Sequence, residues 1–225
     1  PAPWNHPCRT AQTPRKVRGH VNVIDHPLIA DRLARLRDTK CSSENFRLLV
    51  GNVARLMVPQ VTADLEAAPC QVETPLESME GVRLARPVVL VPILRAGLSL
   101  SDGFLDLIPE AIVAHIGLAR NEETLEPETY YPNARVDLGE AHVLVLDPML
   151  ATGGSAVEAL NQLKSQGASR LKFVCLIAAP EGVTSLEEHH PEVPIYTAAV
   201  DRCLDERGYI RPGLGDAGDR AFGTA

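Results

Sequence analysis

An α/β fold, with a mostly parallel central sheet flanked by helices, is predicted by two observations. Five apolar runs of six to ten residues recur from residue 87 onward without an alternating polar face, as strands buried on both sides do. Between them lie segments with helical spacing, so strand and helix alternate as a doubly covered sheet requires. At 225 residues and 45% hydrophobic content, the chain can bury a full core.

The start of the chain reads differently. Residues 1–20 carry Pro1, Pro3, Pro7 and Pro14, the only tryptophan, and Arg9, Arg15, Lys16 and Arg18, while the first acidic residue is Asp25; they read as an extended arm. Two helices follow. "LIADRLARLRD" places Leu28, Ile29, Leu33 and Leu36 on one stripe, and "ENFRLLVGNVARLMVPQ" does the same with Phe46, Leu49, Val50, Val53 and Met57 before Pro59 stops it. Residues 62–86 read as a polar connector.

The first strand of the series is "PVVLVPIL" (87–94), followed by the turn Arg95-Ala96-Gly97 and a short helix to Leu107. "AIVAHIGLA" (111–119) is the next strand, and the polar segment 120–139 that follows has the length of a lid. "AHVLVL" (141–146), "RLKFVCLIAA" (170–179) and "VPIYTAAV" (193–200) complete the strands, with helices at "GGSAVEALNQLKSQ" (153–166) and "GVTSLEEHH" (182–190) between them. In such sheets, ligands bind outside the carboxyl ends of the strands.

Composition narrows the partners. The net charge of −7 makes a polyanion such as nucleic acid a poor match, so phosphate chemistry has to rest on local groups. No apolar run approaches the roughly 20 residues of a membrane span. Cys8, Cys41, Cys70, Cys175 and Cys203 are widely spaced with no C-x-x-C pair, the usage of a reducing compartment, and read as buried small groups or bystanders.

Two phosphate motifs fail on context. Gly213-x-Gly215-x-x-Gly218 fits the dinucleotide fingerprint, but the seven residues after it cannot supply a helix and a second strand. No Gly-Lys pair occurs, so there is no Walker loop. The loop after "AHVLVL" remains: Thr152, Gly153, Gly154 and Ser155 enter a helix whose first N–H groups and dipole can hold a phosphate dianion. Asp147, five residues earlier, stands where a carboxylate can accept two vicinal sugar hydroxyls. An isolated T-G-G-S is equally an ordinary strand-loop-helix joint capped by Ser or Thr.

The string "DPMLATGGS" is similar to the ribose-phosphate motif of the type I phosphoribosyltransferases. With "PILRAGL", "RNEETLEP" and "GYIRPGLGDAGDRAFGT" in the same order, the chain from about residue 20 to its end resembles the uracil phosphoribosyltransferases. Three departures stand out: Pro148 replaces a second acid of the wider motif, Pro59-Gln60 replaces an expected Tyr-Glu, and residues 1–18 have no counterpart in the short bacterial form.

The resemblance implies one catalytic domain over residues 21–225, with a small hood and a flexible loop over the site. It also implies transfer of the 5-phosphoribosyl group from 5-phosphoribosyl 1-diphosphate to uracil, giving UMP and diphosphate. Arg95 and Arg120 would hold the diphosphate, Asp147 the ribose hydroxyls, and Thr152, Gly153, Gly154 and Ser155 the 5′-phosphate, with Pro148, Met149, Leu150 and Ala151 lining the same subsite. Uracil would meet Tyr209, Ile210, Gly215, Asp216 and Ala217. Mg²⁺ would arrive on the diphosphate substrate, with Asp216 reaching it through water. The resemblance further implies a homo-oligomer, dimer or tetramer, and a GTP effector. The expected compartment is the cytoplasm, or an organelle if residues 1–20 are the remainder of a transit segment. Two other classes fit less well: a nucleotide-binding regulator of transcription or RNA, against which the acidic balance argues, and an inactive transferase domain of the kind partnered with uridine kinases, which the complete motif set does not support.

Overall fold

The computed structural model describes residues 21–120, 127–130 and 137–224. The predicted arm at 1–20 and most of the predicted lid lie outside the described residues. In chain order the elements are β1 (Val21–Val23), α1 (Pro27–Arg37), α2 (Ser43–Val61), β2 (Ala67–Glu73), β3 (Ser78–Leu84), β4 (Val88–Leu94), α3 (Leu98–Leu105), β5 (Ile112–Val113), β6 (Ile116–Arg120) and β7 (Pro127–Tyr130). They continue with β8 (His142–Leu146), β9 (Met149–Leu150), α4 (Gly154–Ser165), β10 (Arg170–Ala178), α5 (Pro180–His189), β11 (Ile195–Val200), β12 (Cys203–Leu204), β13 (Ile210–Arg211) and α6 (Ala217–Phe222).

The main sheet runs β1-β11-β10-β8-β4-β6-β7, with β5 alongside β4 and β9 alongside β10. All pairings are parallel except β6 with β7. Side chains alternate across it. Leu90, Leu144, Leu146, Val174 and Leu176 pack under α1, α2, α3 and α6, while Val89, Val91, Val143, Val145, Phe173 and Cys175 pack under α4 and α5. The doubly covered sheet predicted from continuous apolar runs is therefore present. The crossover after β4 uses α3 on one face and that after β8 uses α4 on the other. The faces switch between β4 and β8, which is where such sheets open a ligand crevice.

Several expectations are corrected. Residues 62–86 are not a plain connector but contain the antiparallel hairpin β2–β3, closed by the Thr74 hydroxyl donating to Glu77 O at 2.7 Å. Its two faces are both largely exposed, so it carries no apolar period to betray it. The predicted strand 111–119 is two strands, β5 and β6, both beside β4. β1, paired with β11, was not foreseen. Pro59 does not stop α2: the helix runs to Val61, with Val58 and Val61 buried and the buried Lys172 Nζ donating to Val61 O at 2.6 Å. Tertiary packing there outweighs the lost backbone donor. Leu28 is exposed, leaving Ile29, Leu33 and Leu36 as the buried stripe of α1. Cys203 is disulfide-bonded, which departs from the bystander reading. Cys41, Cys70 and Cys175 are free, and burial pushes the Cys175 thiol up to about 12, as an inert core group requires. Among the described residues, no helix is long and apolar enough to cross a membrane.

Phe173 is fully buried between the sheet and α4–α5. Phe173→Ala should lower unfolding stability by about 3–5 kcal/mol. Urea unfolding checks this, and a loss below about 1 kcal/mol would mean that this face is not close-packed.

Candidate active site

The carboxyl ends of β4, β8, β10 and β11 lie side by side, so the loops that follow them share one edge of the sheet. β8 ends at Leu146, and the chain breaks its pairing for Asp147 and Pro148. It then rejoins β10 in the same register through Met149 and Leu150. Pro148 makes the break stable: it has no N–H to satisfy, and its carbonyl accepts from both Leu176 N–H (3.0 Å) and Ile177 N–H (3.2 Å). Asp147 is thereby held at the mouth of the sheet. Its Oδ1 accepts a weak bond from Met149 N–H at 3.4 Å, but burial dominates and pushes the carboxyl up to about 7.

The next residues curl into α4. Gly153 is the N-cap at φ +86°, a left-handed conformation that side-chain-bearing residues resist, and it makes no side-chain cap bond. This corrects the alternative of a Ser or Thr cap. The N–H groups of Gly153, Gly154, Ser155 and Ala156 lack intrahelical acceptors by position, and among the described residues the helix has no side-chain cap. α5 supports the loop from behind: a Cβ on Gly182 would stand 2.3 Å from Ala151 O. Asp147, Met149, Leu150, Ala151, Thr152, Gly153, Gly154, Ser155 and Ala156 line a small cavity of about 70 Å³. The backbone donors and the carboxyl are thus at one concavity.

Arg95 follows β4 in a turn pressed against the end of β8, where a Cβ on Gly97 would lie 2.3 Å from Leu146 O. The Leu94–Arg95 peptide is cis. The Arg95 guanidinium is exposed, 3.8 Å from Asp219 Oδ1 and 5.8 Å from the centre of the Phe222 ring, so it rests on α6. Contacts this loose leave a long side chain free to turn toward an anion. Arg120 ends β6, which pairs with β4 at Leu94–Gly117, so its backbone reaches the same edge.

The base-reading candidates form the other wall. Ile210 is buried, Tyr209 is half exposed, and the Arg211–Pro212 peptide is cis. Gly215 is followed by the exposed Asp216, whose Oδ1 accepts from Asp219 N–H at 2.9 Å and caps α6, with Ala217 buried behind it. The short pair β12–β13 is tied down by Asp205. That carboxylate accepts from Arg207 N–H, Tyr209 N–H and the Arg211 guanidinium, and these bonds hold it below the usual carboxylate range.

Sequence reasoning missed Arg37, Asp201 and Arg220, which bind this wall to α1. One signal was available. Asp201 directly follows the apolar run "VPIYTAAV", as Asp147 follows "AHVLVL", and an acid at a strand's carboxyl end marks this edge. A larger cavity of about 360 Å³, lined by α3, Phe222 and neighbouring residues, contains none of the predicted site residues.

A parallel sheet with a carboxylate and an open helix N-terminus at its switch point fits the type I phosphoribosyltransferases, a class of pentosyltransferases, that the sequence resembles. The comparisons with known proteins agree. The model of the uracil phosphoribosyltransferase family matches residues 23–224. A curated uracil phosphoribosyltransferase of Bacillus licheniformis is 54% identical over 92% of this chain and 99% of its own length. One from Enterococcus faecalis is 50% identical with the same coverage. Among solved structures, the AQ2163 protein of Aquifex aeolicus superposes with a TM-score of 0.84 at 38% identity, over 91% of this chain and 99% of that one. Adenine phosphoribosyl transferase of Trypanosoma brucei, with a TM-score of 0.58 at 12% identity over 88% and 94% of the two chains, shares the fold alone. The chain belongs to the uracil phosphoribosyltransferase family.

The half-buried Asp147, whose carboxyl is desolvated at the sheet edge, gives a pH-dependent stability test. Its carboxyl is protonated in the folded state up to about pH 7 but only up to about pH 3.8 when unfolded, so stability falls as pH rises between these values. Asp147→Asn removes that loss. The variant should melt roughly 2–8 °C above the wild type at pH 8 and within about 1 °C of it at pH 4. An equal difference at both pH values would contradict the desolvation.

Proposed function

We propose that the loop from Asp147 to Ser155 binds the ribose 5-phosphate half of 5-phosphoribosyl 1-diphosphate and that the loop from Tyr209 to Ala217 presents uracil to it. The family's reaction gives UMP and diphosphate. The observation that carries the assignment is the meeting of an uncapped helix N-terminus with a desolvated carboxyl in one concavity. The N–H groups of Gly153, Gly154, Ser155 and Ala156, with the Thr152 and Ser155 hydroxyls, hold the 5′-phosphate. Asp147 accepts from the two ribose hydroxyls; it does so as the anion, so binding releases its proton below about pH 7.

Displacement at the anomeric carbon passes through an oxocarbenium-like state, as in glycoside transfer. Its main demand is stabilisation of the departing diphosphate. Arg95 meets that demand by leaving Asp219 and Phe222 for the phosphate oxygens, and Arg120 assists from the end of β6. The predicted closure of a lid within 121–135 belongs to the same proposal, although of those residues only 127–130 are described. Uracil is read by backbone groups near Ile210 and Gly215–Ala217, with Tyr209 as cover. Cytosine inverts two polar groups on that edge and leaves buried partners unpaired, at about 1–3 kcal/mol each.

Magnesium enters as part of the diphosphate substrate. The acidic groups at this edge suit a hydrated ion: Asp216 is exposed and already caps α6 with one oxygen, so it fits a contact through water. An ion held there would supply neutralisation of charge on the leaving diphosphate.

The proposal extends to a homo-oligomer, supported by the β2–β3 hairpin with Leu76, Met79, Val82 and Leu84 exposed. A GTP effector belongs to it without an assigned site. The bacterial relatives make the cytoplasm the proposed compartment.

UMP formation from uracil, phosphoribosyl diphosphate and Mg²⁺, run beside cytosine, hypoxanthine and orotate, tests the assignment. Uracil should be the preferred base, and Arg95→Ala should lower kcat by about 10²-fold or more. Faster turnover of another base overturns the base assignment, and near-normal kcat in Arg95→Ala removes that residue from catalysis.

A further inference from the structure

We propose that Arg37 and Asp201 are a positioning pair that sets recognition of the base, an inference that rests on the uracil reading of the 209–217 loop. Asp201 follows β11, and its backbone is anchored by donating to Ala178 O at 2.8 Å. Its side chain is buried, and it takes the guanidinium of Arg37, the last residue of α1, through two parallel bonds of 2.7 Å each. Both groups also grip Gly213. Arg37 Nη1 donates to Gly213 O at 2.7 Å, and Gly213 N–H donates to Asp201 Oδ2 at 3.0 Å.

Gly213 is therefore held by its donor and its acceptor at once. Its φ is +64°, and a Cβ there would stand 2.1 Å from Ile210 O, so the loop turns sharply at this residue. Ile210 precedes the turn and Gly215–Ala217 follow it. The two halves of the base-reading wall thus take their relative orientation from one clamped glycine.

Arg220 reinforces the clamp from α6. It donates to Leu214 O at 2.7 Å, to Leu36 O at 2.5 Å and to Asp38 O at 2.7 Å, and its guanidinium lies 4.6 Å from the centre of the Phe46 ring. The base loop is thus tied at two successive residues to the end of α1.

A site that reads a base through main-chain groups has no side chain to adjust when the loop shifts. Its discrimination depends on the orientation of the peptides, and small displacements there are costly. The phosphate loop is anchored elsewhere, on β10 and α5. Loosening the clamp should therefore affect the base and spare the phosphoribosyl diphosphate.

Steady-state kinetics of Arg37→Lys and Asp201→Asn separates this role from plain structural support. Lysine keeps the charge but cannot form the fork. Each variant should raise KM for uracil about 10-fold and lower the uracil-to-cytosine ratio of kcat/KM by a similar factor, with KM for phosphoribosyl diphosphate within about 2-fold of wild type. Arg220→Lys leaves the buried pair intact, serves if the first two variants fail to fold, and should raise KM for uracil about 3-fold, lower the uracil-to-cytosine ratio by a similar factor and leave KM for phosphoribosyl diphosphate within about 2-fold of wild type. Equal increases for both substrates, or unchanged discrimination between the bases, overturn the proposal. Failure of the wild type to use uracil would instead overturn the reading beneath it, and the inference with it.

Discussion

Four backbone N–H groups at the start of α4, without intrahelical acceptors and without a side-chain cap among the described residues, are the feature around which this molecule is organised. A helix N-terminus costs little when water solvates it, but it becomes a site only when the chain around it is fixed. Here the fixing is done by backbone against backbone. The Pro148 carbonyl is held by β10, Gly153 turns through a left-handed conformation, and Gly182 of α5 lies so near Ala151 O that no side chain fits between them. The acidic chain has no basic field to attract phosphate, so in the proposed site these oriented dipoles take the part that a lysine plays elsewhere.

The sheet gives this loop its neighbours. Because α3 and α4 leave on opposite faces, the crevice opens between β4 and β8, and the turn carrying Arg95 adjoins the loop carrying Asp147. Asp147 is the one acid retained where the wider motif has two. Its desolvation raises the carboxyl to about 7, so in the proposed role it meets an anionic substrate with less than a full negative charge. The opposite wall is built differently: it is a loop of glycines and a short helix, tied to α1 by arginines acting on carbonyl oxygens.

The sequence made the parallel sheet and the strand-loop-helix passage at 141–166 legible because both are written locally. "AHVLVLDPMLATGGS" contains strand, carboxylate, break and helix entry within one short run, and its family resemblance has the same local character. The hairpin β2–β3 was not legible, since both its faces are wet and backbone pairing alone defines it. Pro59 misled for the opposite reason: a local rule yielded to the packing of Val58 and Val61 and to Lys172 at the helix end. Arg37 and Asp201 are separated by most of the chain, and only the fold makes them partners.

The central claim is that the backbone donors opening α4 hold the 5′-phosphate. The most direct measurement is the backbone amide NMR spectrum of the full chain titrated with ribose 5-phosphate, with ribose as the control. The account predicts large downfield amide proton shifts confined to Gly153, Gly154, Ser155 and Ala156 with ribose 5-phosphate and none of comparable size with ribose. Shifts centred elsewhere on the molecule, or the same response to both ligands, would contradict it.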